Sequence, residues 1–110
     1  MIIKYDKGLD ILSIRDEKGL VKSSLRIGPN IFDFSFNGKV VGVEILNVSE
    51  TLGKILNLDE NAFDSIEKVK IRNIFKPDVL MIVITMFVKK KEYNSILNIP
   101  LRSQVQTVDI

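Results

Sequence analysis

Four carboxylates are the residues whose type and spacing best suit chemistry: Asp6 and Asp10 flank the turn residues Lys7-Gly8, and Asp33 and Glu44 lie on either side of Asn37-Gly38. Carboxylates drawn together can hold a hard divalent cation, or shift one pKa upward for general-acid work. Each also has a plainer role open to it. Asp6 can cap a turn, and Asp33 and Glu44 are polar-face positions of half-buried strands. Ser13, Ser23, Ser24, Ser35 and Ser49 have no imidazole to activate them, because the sequence contains no His. It contains no Cys either. Together these absences exclude disulfides, thiol nucleophiles, zinc sites of the Cys/His type and imidazole acid-base catalysis in this sequence. Gly28-Pro29-Asn30 is not a glycine-rich loop opening a helix, so no phosphate cradle is present and no cofactor is implied.

The basic residues form a second candidate site. Lys68, Lys70, Arg72, Lys76, Lys89, Lys90 and Lys91 stand against a single acid, Asp78, within one 24-residue stretch, while the net charge of the chain is only +2. Lys68, Lys70 and Arg72 share a strand face by alternation, and Lys89-Lys90-Lys91 marks a turn. If the strands on either side of Pro77 form a tight hairpin, that turn returns to the end near Lys68, and the charges merge into a patch suited to nucleic-acid phosphates or a protein partner. No aromatic residue interleaves with them to make a base-stacking platform, and lysines also guard sheet edges against aggregation.

The elements that would position these residues are mostly strands. Ile2 to Asp6 and Leu9 to Arg15 form a hairpin, with Asp6-Lys7-Gly8 at the turn. A third strand carries Val21, Ser23, Leu25 and Ile27 and closes at Gly28-Pro29-Asn30. Phe32, Phe34 and Phe36 alternate with Asp33 and Ser35 ahead of Asn37-Gly38, the preferred pair for a type I′ turn, and Val41, Val43 and Ile45 follow. The period then changes. Val48, Leu52, Ile55 and Leu56 fall on one helical stripe, with Asn47 and Glu50 as a capping box, predicting a helix of about ten residues. Asp59 opens a second, shorter helix running to about Ile66, with Leu58 and Phe63 at the positions of a hydrophobic staple.

Strands resume with Val69, Ile71 and Phe75 on one face, turn at Lys76-Pro77-Asp78, and continue through Val79 to Val88, an apolar run broken only by Thr85. Ten residues fall far short of the roughly 20 that a membrane-spanning helix needs. A strand apolar on both faces belongs at the centre of a sheet or between layers. Tyr93 to Leu101 closes the set, with Pro100 suited to an edge strand, and 102–110 reads as a tail or a weak last strand. Either the helices or a second copy of the chain must cover the second face of Val79 to Val88, and a symmetric homodimer is the expectation.

Composition agrees with a folded chain of this kind. Hydrophobic residues make up 45% and charged residues 27%, a balance that can offset chain entropy, and 110 residues fit one domain. Isoleucine is abundant and Ala62 is the only alanine, a bias toward pleated surfaces. Met1 to Asp6 opens as an alternating strand rather than a basic, apolar leader; with no Cys, the expected compartment is the cytoplasm.

The N-terminal half resembles the family catalogued as domain of unknown function 2283. The resemblance rests on Lys4-Tyr5-Asp6, on Asp10-Ile11-Leu12-Ser13-Ile14, and on the run Asp33-Phe34-Ser35-Phe36-Asn37-Gly38-Lys39-Val40-Val41-Gly42-Val43-Glu44-Ile45-Leu46. It covers residues 1 to about 50 and implies a compact β meander followed by a helix, with no established activity. Ser13 stands where the family pattern has Tyr, and Ser35 and Phe36 stand where it has acidic residues.

The sequence therefore predicts an α+β fold, predominantly antiparallel β, of about eight strands with two short helices between the fifth and sixth. It divides into the family-like meander (1–50), the helices (51–66), a three-stranded C-terminal part (67–101) and the tail, all in one domain (1–110). The expected role is a noncatalytic interaction or structural module, homodimeric and without a membrane span. A nucleic-acid-binding accessory role through the basic set is the alternative.

Overall fold

The computed structural model describes residues 1–101; the sequence expectation for 102–110 lies outside the described residues. The first five strands are β1 (Ile2–Asp6), β2 (Ile11–Arg15), β3 (Val21–Ile27), β4 (Asn30–Ser35) and β5 (Val40–Ile45). They form one antiparallel sheet in the order β1-β2-β5-β4-β3, so the last strand of the β3-β4-β5 meander docks against β2 of the first hairpin. Two short helices follow, α1 (Leu52–Leu56) and α2 (Glu60–Phe63). The described residues close with a second antiparallel sheet of three ten-residue strands, β6 (Ile66–Phe75), β7 (Val79–Val88) and β8 (Lys91–Pro100), with β7 central. Among the described residues, eight strands with two short helices between the fifth and sixth match the predicted architecture. Among the described residues no helix is long and apolar enough to cross a membrane.

Alternation decides which faces meet. In the five-stranded sheet Ile14, Val43 and Phe32 form one row across neighbouring strands, and Leu12 and Ile45 form the next; all five are fully buried. In the three-stranded sheet Leu80, Ile82, Ile84, Met86 and Val88 alternate along β7 on the buried side. Apart from Val88, these two sets belong to one hydrophobic core, which also takes in Val48, Leu52 and Phe63 from the helical segment. Each sheet thus supplies the cover that the other lacks, the usual solution for half-apolar sheets. The side chain of Asn73 on β6 adds a polar tie between the layers. Its amide donates to the Val40 carbonyl at 3.0 Å, and its oxygen accepts the Val40 N–H at 2.8 Å.

Several local expectations change. The hairpin at Asn37-Gly38 forms, but only Gly38 takes positive φ, the Gly38 N–H donates to the Ser35 carbonyl, and the Ser35 N–H donates to Lys39. That is a three-residue loop, a type I turn closed by a left-handed glycine. It draws Phe36 out of the strand, 71% exposed, so Phe36 does not share the buried face with Phe32. The two-residue turn with both residues at positive φ is instead Lys89-Lys90 (φ 50 and 64). In the first hairpin the positive φ belongs to Asp10 (φ 56), not Gly8.

The first helix has five residues rather than about ten. Asn47 is left-handed (φ 50) and its side chain caps nothing, because residues 47–51 are folded into turns with Val48 buried beneath them. Ile55, placed on the helical stripe by its spacing, is 80% exposed. Asp59 caps α2 as expected, accepting the Ala62 N–H at 3.0 Å, but α2 ends at Phe63 and Ile66 already opens β6.

Candidate interaction surface

The acidic candidates do not gather. Asp6 accepts the Leu9 N–H at 3.0 Å and closes its turn. Asp10 accepts the Tyr5 hydroxyl at 2.7 Å, the Ser49 hydroxyl at 2.6 Å and the Ser49 N–H at 3.2 Å. It ties β1 to the segment that follows β5. Burial pushes the Asp10 carboxyl up, but the donors from Ser49 and Tyr5 outweigh it and hold the carboxyl below the ordinary aspartate range. Tyr5 shifts the opposite way: burial, then the hydrogen bond to Asp10 and the nearby carboxylate charges, push its phenol well above the usual value. A carboxylate so occupied serves to lock the fold.

Asp33 and Glu44 do share a surface, the outer face of the five-stranded sheet. With Lys4, Ser13 and Arg15 they line a depression of about 280 Å³ above Gly42. Asp33 leans over Gly42, where an added Cβ would lie 3.0 Å from its Oδ2, and its Oδ1 accepts the Ser24 hydroxyl at 2.6 Å. Its cations, Lys4 and Arg15, come from β1 and β2 and its anions, Glu44 and Asp33, from β5 and β4, and among the described residues no group of three or more His, Cys, Asp or Glu is arranged to hold a metal.

Of the serines, Ser13 lies in that depression, Ser24 and Ser49 are bound to Asp33 and Asp10, and Ser35 bonds the side chain of Asn37 within its turn. Ser23 sits on β3, the exposed edge strand. Ser65 and Lys68 stand at Ser-x-x-Lys spacing, but the Ser65 hydroxyl donates to the Asn61 carbonyl and Lys68 belongs to β6. No serine of this set has a base.

The basic candidates are split by the register of the second sheet. Lys68, Lys70 and Arg72 lie opposite Phe87, Thr85 and Val83, on the face of β6 that points away from the core. Lys89 and Lys90 turn the chain at the same end, where the Lys90 N–H donates to the Glu67 carboxylate at 2.8 Å. Lys91 lies opposite the buried Val88, which places it on the other side of the sheet. Lys76 sits in the turn at the far end, its N–H donating to Val79. The merged patch is therefore Lys68, Lys70, Arg72 and the turn, without Lys76 and Lys91. Glu67 and Glu92, one residue outside either end of the basic stretch, are also carried to it.

What the basic residues border is more distinctive. On the outer side of β7 lie Val79, Met81, Val83, Thr85 and Phe87, all half-buried by their strand neighbours and none part of the core. The helices close onto the core side, and they leave this face bare. Its flanks differ in charge: Lys68, Lys70 and Arg72 run along β6, while Glu92, Asn94, Ile96 and Asn98 run along β8. A chain of hydrogen bonds orders the β8 flank, from the Thr85 hydroxyl to Asn94 (2.7 Å) and from the Asn94 amide to Glu92 (3.0 Å). Another depression elsewhere holds Leu20, Phe36 and Val41 beside the loop at Gly38.

No curated protein and no solved structure matches this chain. Residues 2–49 match the family model described as Protein of unknown function (DUF2283), so the family segment is the five-stranded sheet, from β1 to Ser49, the residue that closes onto Asp10.

Proposed function

We propose that this chain is a noncatalytic interaction module that self-associates as a homodimer through the outer face of β6–β8. The observation that carries this is the central strand: four of its five outer positions are apolar, and no other part of the described chain packs on them. A contiguous apolar strip rimmed by charged and polar residues is the usual form of a contact surface. The acidic candidates point away from catalysis, since Asp6 and Asp10 are spent on turns and on locking the hairpin. The lack of cysteine suits a cytoplasmic setting.

The dimensions bound the affinity. Three strands spaced about 4.8 Å apart and ten residues long at about 3.3 Å per residue present a face of roughly 14 by 33 Å. Two such faces bury on the order of 1,000 Å², the low end of specific interfaces, so dissociation in the micromolar range is expected. Val83→Glu tests the surface. The new carboxylate lies beside Arg72 and leaves the isolated chain folded, but it places two like charges in the contact. Loss of the dimer with an unchanged circular dichroism spectrum supports the reading; an unchanged dimer refutes it.

A second reading, nucleic-acid binding, is favoured by the convergence of Lys68, Lys70 and Arg72 with the Lys89-Lys90 turn. Glu67 and Glu92 weaken it by placing acids within the same patch. Binding of that kind would fall steeply from about 50 to 200 mM salt and would be lost on charge reversal at Lys68, Lys70 and Arg72. Affinity indifferent to both removes this reading.

A further inference from the structure

Resting on the homodimer just proposed, we infer its geometry: the two-fold axis runs parallel to β7, so that β6 of each copy lies over β8 of the other and Lys68 pairs with Glu92 across the interface.

Charge selects this arrangement. Lys68, Phe87 and Glu92 form one row across the face, with the cation and the anion held apart by the intervening strand, about 10 Å from β6 to β8. Among the described residues neither makes an ion pair within the chain. The face is thus positive along one flank, apolar in the middle and acidic at one corner of the other. Turning a second copy about an axis along the strands exchanges the flanks and keeps every residue at its own height. Lys68 then meets Glu92, and Phe87 and Val83 meet their own counterparts. Turning it about the in-plane axis perpendicular to the strands lays β6 on β6 instead, bringing Lys70 and Arg72 onto their own kind and leaving Glu92 without a cation. Like charges brought together at an interface disfavour it strongly, enough to decide between two orientations that bury the same apolar strip. Edge-to-edge pairing of β8 leaves the apolar face of β7 uncovered in both copies.

The chain has no native cysteine, so single spin labels read the geometry directly. Lys91→Cys and Lys76→Cys place labels at opposite ends of the second sheet, away from the contact. An axis parallel to β7 brings each label within about 25 Å of its twin. The perpendicular axis and the edge-paired dimer both separate twins by about 35 Å or more, because ten residues of strand span about 33 Å. Pulsed dipolar spectroscopy on both variants is expected to give the short distance twice. In parallel, Lys68→Glu and Glu92→Lys each weaken the dimer about tenfold, and the double swap restores it to within about threefold. A long distance from either label, or a swap that fails to restore binding, overturns this geometry; if Val83→Glu still abolishes the dimer the contact stays on that face, and if it does not, the edge-paired dimer replaces both readings. A chain that stays monomeric and shows no dipolar signal overturns the dimer itself.

Discussion

Replacing Asp10 by Asn tests whether the most heavily hydrogen-bonded carboxylate among the described residues is structural. Three donors converge on it: the Tyr5 hydroxyl, the Ser49 hydroxyl and the Ser49 N–H. Asn tolerates the left-handed backbone at this position, so the change isolates the charge and one acceptor oxygen. Hydrogen bonds to a charged group are worth about 1.5–3 kcal/mol each when isolated. Allowing for partial solvent access and for the acceptor that Asn keeps, Asp10→Asn is expected to cost about 2–3 kcal/mol.

Tyr5→Phe, which retains the ring packed 5.9 Å from Phe63, is expected to cost about 1 kcal/mol alone and under about 0.5 kcal/mol in the Asp10→Asn background. Urea denaturation at one fixed protein concentration reads these values, because a dimer makes stability depend on concentration. The sign of the pH effect follows from the lowered folded-state pKa of Asp10. Its stabilisation is complete above the ordinary value of 3.8 and is lost as pH falls through the lower folded value, so wild type and Asp10→Asn converge in strong acid. Tyr5 works at the other end, where its raised pKa means stability is lost as pH climbs above about 10. An Asp10→Asn variant within about 0.5 kcal/mol of wild type, or a Tyr5→Phe cost that is the same in both backgrounds, would show that this cluster does not lock the hairpin.

Three further substitutions have definite expected outcomes. Lys89→Asn with Lys90→Gly relieves two left-handed lysines in a two-residue turn and is expected to raise stability by about 1–2 kcal/mol, seen as a higher thermal midpoint. Gly53→Ala reverses the usual helical preference for alanine. Its Cβ would sit 2.6 Å from the Leu58 carbonyl and 3.1 Å from the Phe63 ring, so a loss of about 2–4 kcal/mol is expected in urea where propensity alone predicts a gain of about 1. Asn73→Leu strips the Val40 N–H and carbonyl of their partner between the layers and is expected to cost about 2–3 kcal/mol, with faster hydrogen exchange at the Val40 amide.

What was legible in the sequence was periodic. The apolar run of Val79–Val88, broken only by Thr85, marks a central strand, and Pro100 falls at the end of an edge strand. The family-like run from Asp33 to Leu46 maps onto the β4–β5 hairpin. What was not legible depended on partners distant in the chain. The stripe Val48, Leu52, Ile55 and Leu56 has helical spacing, but Asp10, 39 residues before Ser49, holds Ser49 and the Val48 N–H in a turn that shortens the helix. The Asn73 contact with Val40 bridges 33 residues and has no local signature. The basic patch was half visible: alternation put Lys68, Lys70 and Arg72 together, but only strand register reveals that Lys91 faces the other way and that Glu92 borders the same face.

Sedimentation equilibrium of the wild-type chain beside Val83→Glu tests the central claim most directly, over protein concentrations from about 1 to 200 µM, a range matched to an interface of this size. The expected result is a wild-type monomer–dimer equilibrium with a midpoint in the micromolar range, and a folded Val83→Glu chain that stays monomeric throughout. A wild-type chain monomeric across the range, or a Val83→Glu chain that dimerises as wild type does, would contradict the assignment of the outer face of β7 as the surface through which this protein meets its partner.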